Sequence, residues 1–332
     1  MNASVMCALM EELSSSSLLA ITLSLTLSSC ALLIPLALWA SYSLWFSRLA
    51  GLFHLNLRII LQFHLLGFLI HCVGRAVLHS IDLFIYWRYD PCDMVPDVWR
   101  CFWLRFIYAV GLWITSTTVI PLVLERWIAT TYSDIYESMG VTIGVILVLI
   151  QSVVCVIHLL ILYSGSRIEG VVMSYCMVAR DSSVNVGEIN GYATIVVQVL
   201  ARTAFQYLYK KNEKFRKVQL ESSLSNRFQL EQNLIVMDIL KVFANISSVY
   251  LFLHAFSFMG VLKLKNSVSP PVYFSLVEIN SSYPIYGIIS IFLMCHILQK
   301  NRRKVHNSLK AHVNSKWEGD ANNFEIIFKA LN

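Results

Sequence analysis

The chain has 332 residues, of which 57% are hydrophobic and 14% charged, where soluble globular domains carry about 25% charged residues. A soluble fold of this length has too little interior for so much apolar surface, which excludes a cytosolic enzyme, a disordered tail, a collagen and a small disulfide scaffold. The formal net charge is +6, from 26 Lys+Arg and 20 Asp+Glu, and where those charges fall says more than their total.

A bilayer core of about 30 Å needs roughly 20 mostly apolar residues per helix. The gaps between charges supply such runs, the longest being residues 13–47. Residues 1–17 read as a short extracellular N-terminus, 18–298 as a membrane domain and 299–332 as a cytoplasmic tail. Seven spans are expected, at about 18–42, 56–79, 102–125, 141–163, 189–209, 237–261 and 273–298. The fifth is interrupted by Arg202, which a span tolerates if the side chain faces the bundle or reaches the interface. The runs are long and apolar all round, unlike the alternating strands of about ten residues in a barrel. The first 16 residues hold Glu11 and Glu12 and no Lys or Arg, so the positive start of a cleaved signal peptide is missing. No internal repeat is seen.

Orientation follows the Lys and Arg of short loops. With the N-terminus outside, the inner segments hold 16 and the outer ones 6. The expected fold is therefore an all-α bundle of seven transmembrane helices, N-terminus out and C-terminus in. Residues 210–217 and Lys300, Arg302, Arg303 and Lys304 are basic, suited to the anionic inner leaflet. Leu298, Val305, Leu309 and Val313 suggest an amphipathic helix on the inner membrane face.

The third span ends in Glu125-Arg126-Trp127. Cys101 stands 25 positions before Arg126, about 37 Å along a helix and enough to cross the membrane. Cys7, Cys92, Cys101 and Cys176 fall on the outer side, and four cysteines allow three pairings. Seven spans with this triplet resemble the rhodopsin-like G-protein-coupled receptors. Those join the positions of Cys101 and Cys176 by a disulfide, so the resemblance implies that pairing, with Cys92 as the rival partner.

Four further blocks narrow the resemblance. They are Phe53-His54-Leu55-Asn56-Leu57, the loop Asp90-Pro91-Cys92-Asp93, Glu125-Arg126-Trp127-Ile128-Ala129-Thr130 with Tyr136-Glu137 downstream, and Leu224-Ser225-Asn226-Arg227-Phe228-Gln229-Leu230-Glu231-Gln232-Asn233. Together they resemble the nematode serpentine chemoreceptors of the Sra superfamily, nearest the Sre (class epsilon) branch, with Srb and Srab as sister-branch alternatives. The resemblance implies a receptor at the plasma membrane of sensory-neuron cilia. Its partners would be a small-molecule ligand, a heterotrimeric G protein and the lipid bilayer, with no nucleic acid. Departures from the rhodopsin-like pattern include Trp127 in place of Tyr, a sixth span without Pro or Trp, and Ser282-Tyr283-Pro284-Ile285-Tyr286 in the seventh. Pro284 removes a hydrogen bond and can kink that helix.

Two groups of charges carry site expectations. At the inner end, Arg126 can pair with Glu125 and with an acid of span six, Glu231 or Asp238. Releasing that contact would free span six, a two-state element of the kind signalling uses. The plainer reading pairs Asp238 with Lys241 on its own helix face. Near the outer end, Arg75, Arg105 and Glu278 fall at one depth on spans two, three and seven, and buried charges in spans tend to pair and mark function. They form either a structural bridge or a ligand site whose spare Arg favours an anionic or strongly accepting ligand.

No metal site is expected, because His64, His71 and His158 do not form matched pairs across helices. No cofactor and no catalytic residue is expected, since Asp238 and Glu278 lie near opposite faces and cannot work together. Asn2 begins a glycosylation sequon. The competing reading is an odorant-gated ion channel subunit with seven spans and inverted topology, against which the charge count argues.

Overall fold

The computed structural model describes residues 3–47, 53–136, 139–163, 175–176, 183–218 and 224–316. Among them there is helix and no strand, in the order α1 (Ala3–Ser15), α2 (Ser17–Phe46), α3 (Leu55–Arg88), α4 (Val98–Thr117), α5 (Val119–Thr131), α6 (Ser133–Tyr136), α7 (Thr142–Tyr163), α8 (Ser183–Val218), α9 (Leu224–Lys263), α10 (Pro270–Asn280) and α11 (Tyr283–Lys316). Helix satisfies every backbone group within one segment, which hydrocarbon demands. Six stretches are long and apolar enough to cross a membrane: Ser17–Phe46, Leu55–Arg88, Val98–Thr131, Thr142–Tyr163, Asn233–Lys263 and Pro270–Asn301. The fifth expected span lies in α8, which is 36 residues long but is not among the six. Its Arg202 is exposed on the outside of the bundle, so the side chain must reach for an interface.

Local chemistry sets the helix ends. Ser16 accepts a hydrogen bond from Leu19 N to start α2, His54 Nδ1 accepts from Asn56 N to start α3, and Asp97 accepts from Arg100 N to start α4. These are N-caps satisfying otherwise orphaned donors. The third span divides at Thr118 because Pro121, three residues on, has no N–H to give to the Thr117 carbonyl. Gln151 of α7 covers the break, donating to Ile114 O at 2.7 Å and Thr117 Oγ1 at 3.0 Å.

The seventh span divides at Ser281–Ser282, between α10 and α11. Pro284 therefore sits in the first turn of α11 rather than within a continuous helix. An N–H is unused there in any helix, so Pro fits without loss. Beyond residue 298 the structure departs from the expected surface helix, because α11 continues as one helix to Lys316.

Packing between spans uses small residues, as is usual where helices must approach in lipid. A Cβ on Gly111 of α4 would lie 2.5 Å from Gly67 O and His71 N of α3. A Cβ on Gly144 of α7 would meet the Asn56 backbone of α3 at 2.7 Å. One core gathers Leu57, Ile60, Leu122, Phe205, Met237 and Phe243 toward the Arg126 end. A second gathers Leu33, Phe68, Leu251, Tyr283 and Tyr286 in the middle. A third lies at the opposite end, where α1 packs Met6, Met10 and Leu13 against Leu19, Met94 and Tyr175.

Candidate functional site

Disulfides mark one end of the bundle. Cys7 of α1 is bonded to Cys92 in the loop before α4, and Cys101 of α4 to Cys176. Cys92 is thus engaged by Cys7, and the first bond straps α1 across this end. Cys30, Cys72, Cys155 and Cys295 are free thiols.

Beneath α1, Arg75 of α3, Arg105 of α4 and Glu278 of α10 meet. Glu278, 2% exposed, takes both guanidiniums: Arg75 Nη2 donates to Oε2, and Arg105 Nη2 donates to Oε1 at 3.1 Å. Tyr175 O–H adds a third donor to Oε1 at 2.9 Å. Burial and the Glu278 charge raise the Tyr175 hydroxyl well above its ordinary pKa, so it stays a donor. The other guanidinium nitrogens bond elsewhere. Arg75 Nη1 donates to Ser281 O, a carbonyl freed by the break in span seven, and Arg75 Nε to His79 Nε2 at 3.2 Å. Arg105 Nε donates to Cys176 O and Nη1 to Tyr108 O–H.

The convergence expected of the three residues is present, and both guanidiniums share the one carboxylate. One carboxylate bridges both cations, and backbone carbonyls and a phenol complete their fork geometry. His79 and Asp82, one turn apart on α3, line the same cluster and had no sequence signal beyond their position on the face of Arg75. His79 Nδ1 stands 3.9 Å from Asp82 Oδ2.

At the other end Glu125 and Arg126 form a two-bond pair, and Tyr136 of α6 donates its hydroxyl to the same carboxylate. Burial and Glu125 raise the Tyr136 hydroxyl above its ordinary pKa. Arg126 reaches across to α9 through Nη1, 3.4 Å from Asn233 Oδ1. This differs from the expected acid. Asp238 is exposed, turned from Arg126 by the helical phase of α9, and the side chain of Glu231 lies outside the described residues. Among those residues no ion pair joins Asp238 to Lys241; the Lys241 ammonium stands 4.6 Å from the Tyr209 ring centroid instead. Asn233 closes the fourth motif block quoted above, so its type and position were visible while its role was not.

The first block also acquires a geometry. His54 caps α3 and meets the Tyr136 ring in a tilted contact, centroids 4.5 Å apart, while Asn56 Oδ1 accepts from Gly144 N at 2.9 Å. It therefore ties α3 to α6 and α7. Asn2 lies outside the described residues. Among those residues no group of three or more His, Cys, Asp or Glu is arranged to hold a metal; His64 Nδ1 meets Thr118 Oγ1 and His71 Nδ1 the Tyr108 carbonyl, each at 3.1 Å.

Long apolar helices whose buried Arg, Asp and Glu gather in two knots define a multi-pass helical membrane protein. Residues 4–332 match the family model described as "Serpentine type 7TM GPCR receptor class ab chemoreceptor", and the chain belongs to that family. The placement thus falls on class ab, kept above as a sister branch, rather than on class epsilon.

Three relatives from Caenorhabditis elegans are similar to it. "Serpentine receptor class alpha/beta-14" is 30% identical over 194 residues, 56% of this chain and 49% of the relative. "Serpentine receptor class beta-6" is 20% identical over 80% of each chain. "Serpentine receptor class alpha-39" is 22% identical over 67% of this chain and 60% of its own. The chain spans about half the length of the first of these. The family is one of receptors.

Proposed function

We propose that the protein is a chemosensory G-protein-coupled receptor of the plasma membrane. It takes a small environmental molecule or pheromone at the Arg75–Arg105–Glu278 end and acts on a heterotrimeric G protein at the Glu125–Arg126 end. The observation that carries the reading is the bridged cluster itself. Three spans, a loop residue and a backbone break converge on one buried carboxylate beneath a disulfide-strapped helix, in a chain of a chemoreceptor family. Buried ionisable groups in spans are costly unless paired and used. A ligand that competes for Glu278 changes how three spans are held together, which is the differential contact a two-state receptor needs. The 16 to 6 distribution of Lys and Arg supports this end lying outside and the basic segments inside. A location in the cilia of sensory neurons follows from the family reading.

The test is a calcium-reporter screen of odorants and pheromone-like compounds in cells carrying the receptor and a promiscuous G protein. Dose-response curves follow for Arg75→Ala, Arg105→Ala and Glu278→Ala at matched surface expression. Potency shifted in any of the three supports the site, and unchanged potency in all three removes it. Staining of an N-terminal tag on intact cells checks the topology, and a tag reachable only after permeabilisation overturns the receptor reading in favour of the channel.

A further inference from the structure

Every guanidinium nitrogen and both Glu278 oxygens of the bridged cluster take part in a hydrogen bond, while two polar atoms at one edge do not. Arg75 Nε always carries a proton and stands 3.2 Å from His79 Nε2, so that ring nitrogen offers its lone pair. The other assignment would let Nε2–H donate to Glu278 Oε2 at 3.4 Å, but it sets two N–H groups against each other at the shorter distance. The ring proton of His79 therefore sits on Nδ1, facing Asp82.

His79 Nδ1 and Asp82 Oδ2 have no hydrogen-bond partner among the described residues, and their residues are 0% and 5% exposed. At 3.9 Å apart they are too distant to bond each other. Their spacing matches one oxygen at about 2.8 Å from each, subtending roughly 90°. A buried donor and a buried acceptor left open cost free energy, and one hydroxyl satisfies both.

Charge narrows the group that fits. Two cations, Arg105 and Arg100, and two anions, Glu278 and Asp82 itself, surround the gap, so the setting is balanced and an added buried charge of either sign would lack a countercharge of its own. The next turn of α3 is apolar where it faces α1: Leu83 and Tyr86 pack with Met6, Met10, Leu13 and Tyr175. Methionines adapt to varied shapes.

We propose that the gap between His79 Nδ1 and Asp82 Oδ2 seats the hydroxyl group of a neutral, largely apolar ligand, which accepts from His79 and donates to Asp82. The inference rests on this end being the ligand site, and it replaces an anion by an alcohol as the chemical class.

The experiment uses the full chain in lipid nanodiscs and reads the thermal midpoint against a panel of small aliphatic and alicyclic alcohols. Each alcohol is paired with its isomeric methyl ether, the matching amine and the matching acid. At least one alcohol raises the midpoint where its ether, amine and acid do not. Asp82→Leu weakens that alcohol about tenfold or more, the loss of one buried hydrogen bond; Asp82→Asn serves where the Leu variant does not fold. Ethers equal to alcohols, acids or amines preferred, no alcohol active, or an unchanged Asp82→Leu response each overturn the seat. So does an ordered oxygen in the gap that no alcohol displaces, which marks a resident water only.

The wild-type comparison needs no variant. Selective alcohol binding without any G-protein response sinks the signalling proposal and leaves the seat standing. Signalling to acids or ethers alone does the reverse.

Discussion

The two buried charge knots are built on opposite plans. At the disulfide end the charges come from three different spans, and Glu278 joins Arg75, Arg105 and Tyr175 at once. At the far end Arg126 is held by its neighbour Glu125, which Tyr136 also grips. Its link to another span is one long contact with Asn233. The first knot fastens spans to each other. The second mostly fastens a side chain to its own helix and loop, leaving α9 lightly tied. A receptor needs both: a rigid frame that senses a change in contacts, and an end where a small free-energy change releases a helix.

The largest effect tests the frame. Glu278→Leu strands two buried guanidiniums, which costs about 3–5 kcal/mol, so folded yield and thermal midpoint in nanodiscs should fall more than for any substitution at Glu125, Arg126 or Asn233. Cys176→Ser comes next, because it removes a cross-link closing a separation of 75 residues, a kind of bond typically worth about 2–4 kcal/mol, and loosens the carbonyl that receives Arg105. Loss of folded receptor on non-reducing gels and in heating curves checks it.

Asn233→Leu probes the light tie. One polar contact is worth about 1 kcal/mol, so basal reporter signal should rise about fivefold at equal expression, while Asp238→Asn leaves it unchanged. A basal rise with Asp238→Asn instead would restore the acid expected from sequence. Tyr136→Phe is the smallest, a basal change of about twofold with no loss of surface protein. Equal effects at both ends would dissolve the contrast between frame and release.

Much of this was legible before any coordinates. Charge-free runs gave the spans because hydrocarbon punishes charge wherever it falls. The common depth of Arg75, Arg105 and Glu278 gave the cluster because a helix converts residue number into height. What stayed hidden depends on rotation and on the chain's irregular parts. Asp238 and Asn233 are five residues apart, and only the phase of α9 decides which meets Arg126. Tyr175 and Cys176 come from a loop, where no periodicity reports on position. Two of the contacts on the Arg forks go to the carbonyls of Ser281 and Cys176, and backbone acceptors carry no sequence signature. The helix α1 was missed because 13 residues without a charge pattern look like any short terminus.

The backbone contact at Gly111 has a mechanical corollary. With no side chain between α3 and α4 there, the helices can neither close further nor slide easily, so rocking is the motion left to them. Arg105 stands about 9 Å from this fulcrum and Arg126 about 22 Å on the other side, at 1.5 Å per residue. Because the break at Thr118 interrupts the span beyond this fulcrum, α4 can rock apart from α5, and a single methyl group at position 111 would jam that motion.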